Sequence, residues 1–163
     1  MLRGSVALLL AAPAAGSALA QSSPAPAATT EPGPAAPYAM TLGDMMNTLI
    51  QPRHAKLGLA GKAQNWSLAQ YELVVIRQSF GGIVKAVPKF RGLPVGELVN
   101  AALSQPLDAV DAAIKAQDPQ KFAAAYAQLT AGCNACHAAA DHPYVVIKTP
   151  DVSEFPNQDF TPH

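Results

Sequence analysis

Residues 66–87 read WSLAQYELVVIRQSFGGIVKAV, and this stretch decides the fold. Its apolar residues recur at alternating steps of three and four, which places them on one face of an α-helix. A helix with one apolar face has to bury that face against other helices, so the stretch predicts one element of a helical core. The residues of this stripe are Trp66, Ala69, Leu73, Ile76, Phe80, Ile83 and Val87.

Three further segments have helical spacing, and proline or glycine separates them. Only 6% of the 163 residues are aromatic, and alanine, which favours helices, is abundant. The predicted helices cover 41–62, 66–87, 94–116 and 119–141, with Asp118 and Pro119 typical of a helix start. Pro106 is expected to kink or split the third helix near Ser104. Short connections favour an all-α fold, an antiparallel four-helix bundle over residues 41–142.

The first 20 residues match a secretory signal peptide. Arg3 provides a positive charge, residues 6–15 form a short apolar run, and residues 18–20, Ala-Leu-Ala, have the small-x-small pattern that signal peptidase cleaves. We expect cleavage before Gln21 and export to the periplasm. An uncleaved membrane anchor is the alternative, but the run is shorter than the roughly 20 apolar residues that span a bilayer. No stable membrane span is therefore predicted.

The fourth predicted helix contains Cys133-Asn134-Ala135-Cys136-His137, a Cys-x-x-Cys-His motif. This motif attaches c-type haem: the two thiols form thioethers with the porphyrin vinyl groups, and the histidine binds the iron from one face. A thioredoxin-like redox pair would be expected near a βαβ pattern, which is missing. A disulfide leaves the histidine unexplained, and a zinc site lacks a further Cys or His pair at suitable spacing. The motif predicts one covalent haem c per chain.

Proline-rich segments flank the helical region. Residues 21–40 are rich in Pro, Ala, Ser and Thr and carry one charge, so they predict an extended linker. Residues 143–163 form a second such segment, with a β-prone run at 145–147. We expect this tail to pack as an extended segment on the bundle or over one haem edge, anchored by Phe155 and Phe160.

A haem motif near the end of the fourth helix resembles the class II c-type cytochromes, which are cytochrome c-prime and its low-spin relatives. Residues 50–57, IQPRHAKL, are similar to that family's Ile-Lys-Tyr-Arg-Gln-x-x-Leu/Met segment. The resemblance implies that Arg53 pairs with a haem propionate and that Leu57 occupies the position of the axial methionine in low-spin relatives. His54 replaces the family's glutamine, and the usual basic residue after the haem histidine is absent. The chain is thus identified as a divergent member.

The first predicted helix supplies candidates for the distal side of the iron. Met46, Ile50, His54, Leu57 and Gly61 share one face, which we expect to look into the bundle. His54 could bind the iron, hold a bound ligand or propionate, or simply be a satisfied core histidine. Met46 could be a thioether ligand or core packing. We expect Pro52 to bend this helix beside them.

The charge balance and the motifs of the sequence limit the classes of function that we expect. Lys+Arg and Asp+Glu balance at 11 each, which argues against nucleic acid as a partner. No catalytic acid-base set or phosphate loop is recognisable, so we expect an electron carrier rather than an enzyme, although a haem-based activity stays open. The leading hypothesis is one-electron transfer with redox partner proteins that the sequence does not identify. The alternative is a five-coordinate haem module that binds a diatomic gas, NO or CO. Dimers are common in the family that the chain resembles, so a homodimer also stays open.

Overall fold

The computed structural model describes residues 38–163. The predicted signal peptide and nearly all of the predicted linker lie outside the described residues. Within them the protein is mostly helical, with one small hairpin, and this agrees with the predicted all-α class. The elements are α1 (Leu42–Met45), a π-helical segment (Met46–Ile50), α2 (Gln51–Lys62), α3 (Trp66–Ala86), β1 (Lys89–Phe90), β2 (Leu93–Pro94), α4 (Val95–Lys115) and α5 (Pro119–Ala139).

The first predicted helix consists of three consecutive helical segments. It begins with a capping box, in which the Asp44 amide donates to Oγ1 of Thr41 at 3.2 Å and the Thr41 amide donates to the Asp44 carboxylate at 2.8 Å. The π-helical segment directly precedes Pro52, and the Gln51 amide donates to the carbonyl of Met46, five residues back. Pro52 has no N–H for the preceding turn, so the widened turn lies where the sequence predicts a disturbed helix.

Residues 87–94 connect α3 to α4 through a hairpin that the sequence did not predict. Phe90 pairs with Leu93 in antiparallel register. The two turn residues, Arg91 and Gly92, have φ values of 50° and 84°, as two-residue hairpin turns of type I′ require. Each strand has only two residues, so neither carries the alternating pattern that would reveal it.

Helix α4 runs without interruption through Pro106, so of the two expected outcomes near Ser104, a kink or a split, the split is wrong. Pro106 cannot donate to the carbonyl of Ala102, four residues back. A Cβ atom placed on Gly132 of α5 would lie 2.5 Å from that carbonyl oxygen, so the backbone of α5 approaches it closely. This close approach places the α5 backbone beside the carbonyl that lacks its helix donor. It also fixes α5 against α4 directly beside Cys133.

Three helices end in the same Schellman motif. After α2 the Asn65 amide donates to the carbonyl of Ala60 at 2.9 Å, and the same pattern follows α4 and α5. The residue at the turn has positive φ in each case and is never glycine; these residues are Gln64 (57°), Gln117 (53°) and Asp141 (63°). The left-handed conformation reverses the chain sharply, and the connections 63–65 and 116–118 each join neighbouring helices.

The long helices pack in a closed cycle. Contacts join α2 to α3, α3 to α4, α4 to α5, and α5 back to α2. The core includes the predicted α3 stripe, in which Leu73, Ile76 and Ile83 are almost fully buried. Close contact between α2 and α5 depends on glycine, because a Cβ atom on Gly61 would lie 1.9 Å from the Phe122 ring. No helix among residues 38–163 has the length and apolar content to cross a membrane.

The C-terminal tail forms neither helix nor strand from residue 143 onward. It contacts α2 and the connection directly after that helix. The Lys62 ammonium donates to the carbonyl of Asp151 at 3.1 Å, and the Asn65 amide group donates to the carbonyl of Thr161 at 2.9 Å. The rings of Phe155 and Phe160 lie 6.2 Å apart, and the Lys56 ammonium lies 4.7 Å from the Phe155 ring centre.

Candidate haem-binding site

Helix α5 places the Cys-x-x-Cys-His motif on the wall of a pocket. Cys133, Cys136 and His137 are spaced by three and four residues, so they share one side of the helix. All three line one pocket of about 70 Å³, which is smaller than the 300–1,000 Å³ typical of sites that enclose a small molecule or cofactor. The rest of its wall is mainly apolar and includes Ile50, Phe80, Val99, Leu103, Val145 and Ile147.

His137 is held in one tautomer by the tail. Its Nδ1 atom lies 2.7 Å from the carbonyl oxygen of Val145. A carbonyl can only accept a hydrogen bond, so Nδ1 must carry the proton. In the neutral ring Nε2 is then unprotonated and has a lone pair for a metal. Histidines that bind metals commonly donate their other N–H to a backbone carbonyl in this way.

The two cysteines do not resemble a thioredoxin-type redox pair. They form no disulfide in the structure. Burial raises the pKa of the Cys133 thiol to about 11 and also raises the pKa of Cys136. Catalytic Cys-x-x-Cys pairs instead need a lowered pKa to form a thiolate.

No cluster of three or more His, Cys, Asp or Glu side chains suited to a metal occurs within residues 38–163, so a structural zinc site has no support there. The donor set fits covalent haem.

His54 reaches the pocket from α2, but both of its ring nitrogens already have partners. The side chain is buried, with 4% exposed. Nε2 lies 3.0 Å from Oγ1 of Thr130, and Nδ1 lies 3.0 Å from the hydroxyl of Tyr126. Burial lowers the pKa of His54 to about 4, so the ring is neutral at neutral pH. Binding iron through Nε2 would require this ring to leave Thr130.

The hydroxyls around His54 also bond to the backbone, which completes a buried polar cluster. The Tyr126 hydroxyl lies 2.7 Å from the carbonyl oxygen of His54, and Oγ1 of Thr130 lies 3.0 Å from the carbonyl oxygen of Tyr126. A neutral His54 ring has one N–H and each hydroxyl has one proton, so one hydroxyl donates to the ring and the other donates to its carbonyl. Burial, followed by the nearby Cys133, raises the pKa of Tyr126. The cluster ties α2 to α5 beside the haem motif. Every buried polar side-chain atom in the described part of the chain has a hydrogen-bond partner.

The other distal candidates differ in their access to the pocket. Met46 lines it from the π-helical segment, together with Ile50. Leu57 is fully buried in the core and is not among the residues that line the pocket, and its equivalence to the axial methionine of low-spin relatives stays a prediction.

Arg53 has a partner other than the one that the resemblance implied. Its Nη1 atom donates to both carboxylate oxygens of Glu72 on α3, at 3.1 and 3.2 Å. Glu72 is 1% exposed, and a buried carboxylate needs a compensating cation. Arg53 does not line the pocket, so pairing with a propionate would have to compete with this ion pair.

A second, mainly apolar pocket of about 180 Å³ adjoins the first. It shares Met46, Cys136, His137 and Val145 with the first pocket and extends to Phe90 of the hairpin. Cys136 and His137 therefore line both pockets. The sequence did not predict that Phe90 lines this pocket, because it did not predict the hairpin that carries Phe90.

Several residues of the site escaped the sequence analysis. Tyr126 and Thr130 are four residues apart on α5, so helical spacing could have placed them on one face. Their contact with His54 depends on how α2 packs against α5, and the spacing of residues along the sequence does not show how the two helices pack. Asn134 forms hydrogen bonds to Ile147 in the tail, beyond the end of α5. No periodic pattern in the sequence predicts a contact of this kind.

Comparison with known proteins gives no relative for this chain. No family model, no curated protein sequence and no solved structure matches it. The functional assignment therefore depends on the motif and on the geometry of the site.

Proposed function

We propose that the protein is an exported mono-haem c-type cytochrome that transfers single electrons. The observation that carries this proposal is the position of Cys133, Cys136 and His137 on one apolar pocket, with His137 Nδ1 bonded to a backbone carbonyl and Nε2 left for iron. The predicted signal peptide would deliver the chain to the periplasm, where such attachment takes place. The motif near the end of the last helix supports a divergent class II cytochrome on an antiparallel four-helix bundle.

Each motif residue has a distinct role in the proposal. The thiols of Cys133 and Cys136 add across two vinyl groups, so that each sulfur bonds to one vinyl carbon and the proton goes to the other. His137 binds the iron through Nε2. Haem c supplies a one-electron ferric/ferrous couple. The apolar pocket wall limits water around the site, and this environment tunes the reduction potential.

A five-coordinate module that binds NO or CO is the second candidate function. It is favoured by the hydrogen bonds of His54, because both ring nitrogens are engaged by hydroxyl groups and neither is free for the iron. Met46 is then the remaining candidate for a sixth ligand on the pocket wall. A methionine ligand would favour electron transfer, and an open position would favour gas binding.

The test is expression in a periplasm that matures c-type cytochromes, followed by absorption spectra of native and denatured protein. We expect a haem spectrum that survives denaturation, because thioethers are covalent. The Cys133→Ser/Cys136→Ser double variant should lose covalent haem. His137→Ala should lose the normal iron spectrum, whereas the matched control His163→Ala should keep it. A parent protein without covalent haem would overturn the proposal.

Carbon monoxide separates the two functions. A sharp reduced spectrum that carbon monoxide leaves unchanged indicates a strong sixth ligand and supports electron transfer. His54→Ala and Met46→Ala then identify that ligand. A broad high-spin spectrum that shifts with carbon monoxide indicates an open iron and supports gas binding.

A further inference from the structure

Asn134, inside the haem motif, binds the tail with both ends of its amide group. Its Nδ2 donates to the carbonyl of Ile147 at 3.0 Å, and the Ile147 amide donates to Oδ1 of Asn134 at 2.8 Å. The two bonds imitate one rung of a β-ladder, with a side chain in place of a second strand. This pairing fixes the position of Ile147 relative to α5.

The neighbouring tail residue contacts the proposed iron ligand. Val145 accepts the bond from Nδ1 of His137, and Val145 and Ile147 both line the pocket. Asn134 and His137 are three residues apart, so they lie close together on one side of α5. One short tail segment, 145–147, therefore carries both the Asn134 pairing and the bond to His137.

The same segment is held at both of its ends. On one side the Val145 amide donates to the carbonyl of His142 at 3.0 Å, which forms a turn directly after α5. On the other side Lys62 of α2 donates to the carbonyl of Asp151. Asn134 provides the side-chain pairing between these points, so its loss would release segment 145–147 while leaving the flanking contacts in place.

We propose that Asn134 is a positioning residue that holds the Val145 carbonyl against His137 and thereby sets the orientation and basicity of the iron ligand. The inference rests on the proposed haem function. A hydrogen bond from Nδ1–H to a carbonyl makes the imidazole a stronger donor through Nε2, which favours ferric over ferrous iron. Loss of Asn134 therefore raises the reduction potential without removing any covalent attachment.

The first test uses the haem-loaded full chain with Asn134→Ala and Asn134→Asp. Aspartate keeps the acceptor for the Ile147 amide and loses the donor to its carbonyl, so it should have an intermediate effect. Gln128→Ala removes an exposed amide group from the same helix and is the matched control. We expect equal covalent haem in all four proteins, a raised potential in Asn134→Ala, a smaller rise in Asn134→Asp, and no change in the control. An unchanged potential in Asn134→Ala would overturn the role.

The second test uses haem-free protein and separates failure of this inference from failure of the haem proposal. In the parent, nitrogen chemical shifts of His137 should report the Nδ1–H tautomer, and Asn134→Ala should yield a tautomer mixture. Hydrogen exchange at the Ile147 amide should accelerate about tenfold, the factor that one or two ordinary hydrogen bonds supply. The same tautomer and exchange rate in parent and variant would refute the positioning role, whether or not the chain binds haem.

Discussion

Acidification should destabilise the fold through His54. The side chain is almost fully buried, and burial lowers its pKa from 6.5 to about 4. In the unfolded chain the ring takes up a proton as the pH falls below 6.5, whereas in the folded protein it stays neutral until about pH 4. The unfolded state thus binds more protons within this window, so the free energy of unfolding falls as the pH falls from 6.5 to 4 and levels off below 4.

The size of this effect follows from the pKa difference. The folded and unfolded values differ by about 2.5 pH units, and one unit corresponds to about 1.4 kcal/mol. His54 should therefore remove about 3 kcal/mol of stability across the window, a large share of the 5–15 kcal/mol typical of a domain. Partnered carboxylates such as Asp111 have a lowered pKa, so their contribution is lost below 3.8, mostly outside the window.

The assay is urea unfolding of the parent and His54→Gln at several values between pH 7 and pH 4.5. The parent should lose stability more steeply than the variant, because glutamine does not titrate. Other histidines are present in both proteins and cancel in the comparison. An NMR titration of His54 in the parent gives a direct check that does not need the variant to fold. Equal pH slopes for both proteins, or protonation of His54 near pH 6.5, would refute the reasoning.

Three further substitutions test the packing around the site by urea or thermal unfolding. Gln117→Gly should raise stability by about 1 kcal/mol, because glycine adopts the positive φ of this helix end without strain; no gain would contradict the Schellman assignment. Gly132→Ala should cost about 1–3 kcal/mol through its clash with the α4 backbone, whereas Gly82→Ala, which meets no atom within 4 Å, should gain about 1 kcal/mol from helix propensity; equal effects would contradict the close approach. Arg53→Met should cost about 2 kcal/mol by leaving Glu72 buried without a cation, and an unchanged midpoint would show that the ion pair contributes nothing.

The sequence predicted the long helices to within two residues at each end, because their stripes and caps are local signals. Helix α3 was predicted over 66–87 and ends at Ala86, and α5 was predicted over 119–141 and ends at Ala139. Spacing also predicted that Ile50, His54 and Leu57 of the first helix face inward, and all three are buried. Haem attachment at the Cys-x-x-Cys-His motif stays a prediction. The spacing of residues along the sequence could not show which residues of other helices each side chain contacts.

The partners of His54 and Arg53 illustrate this limit. A histidine on an apolar face needs polar partners, and its sequence position does not distinguish a metal from a hydroxyl. The structure places Thr130 and Tyr126 there. Similarly, Arg53 required an anion, but the anion in the structure is Glu72, which lies on the buried side of α3 among apolar residues. Both interactions join different helices, so packing decides them.

Pro52 and Pro106 lie in helices that both contribute residues to the same pocket. Pro52 follows the π-helical turn, and that turn carries Met46 and Ile50 to the pocket wall. Pro106 leaves a carbonyl of α4 without its helix donor, and α5 approaches that carbonyl at Gly132, one residue before Cys133. The missing N–H of Pro52 thus coincides with a widened helical turn, and the missing N–H of Pro106 coincides with the close approach of α5. A proline that removes one hydrogen bond from a helix is therefore compatible with this fold where the local backbone contributes to a pocket wall or contacts a neighbouring helix.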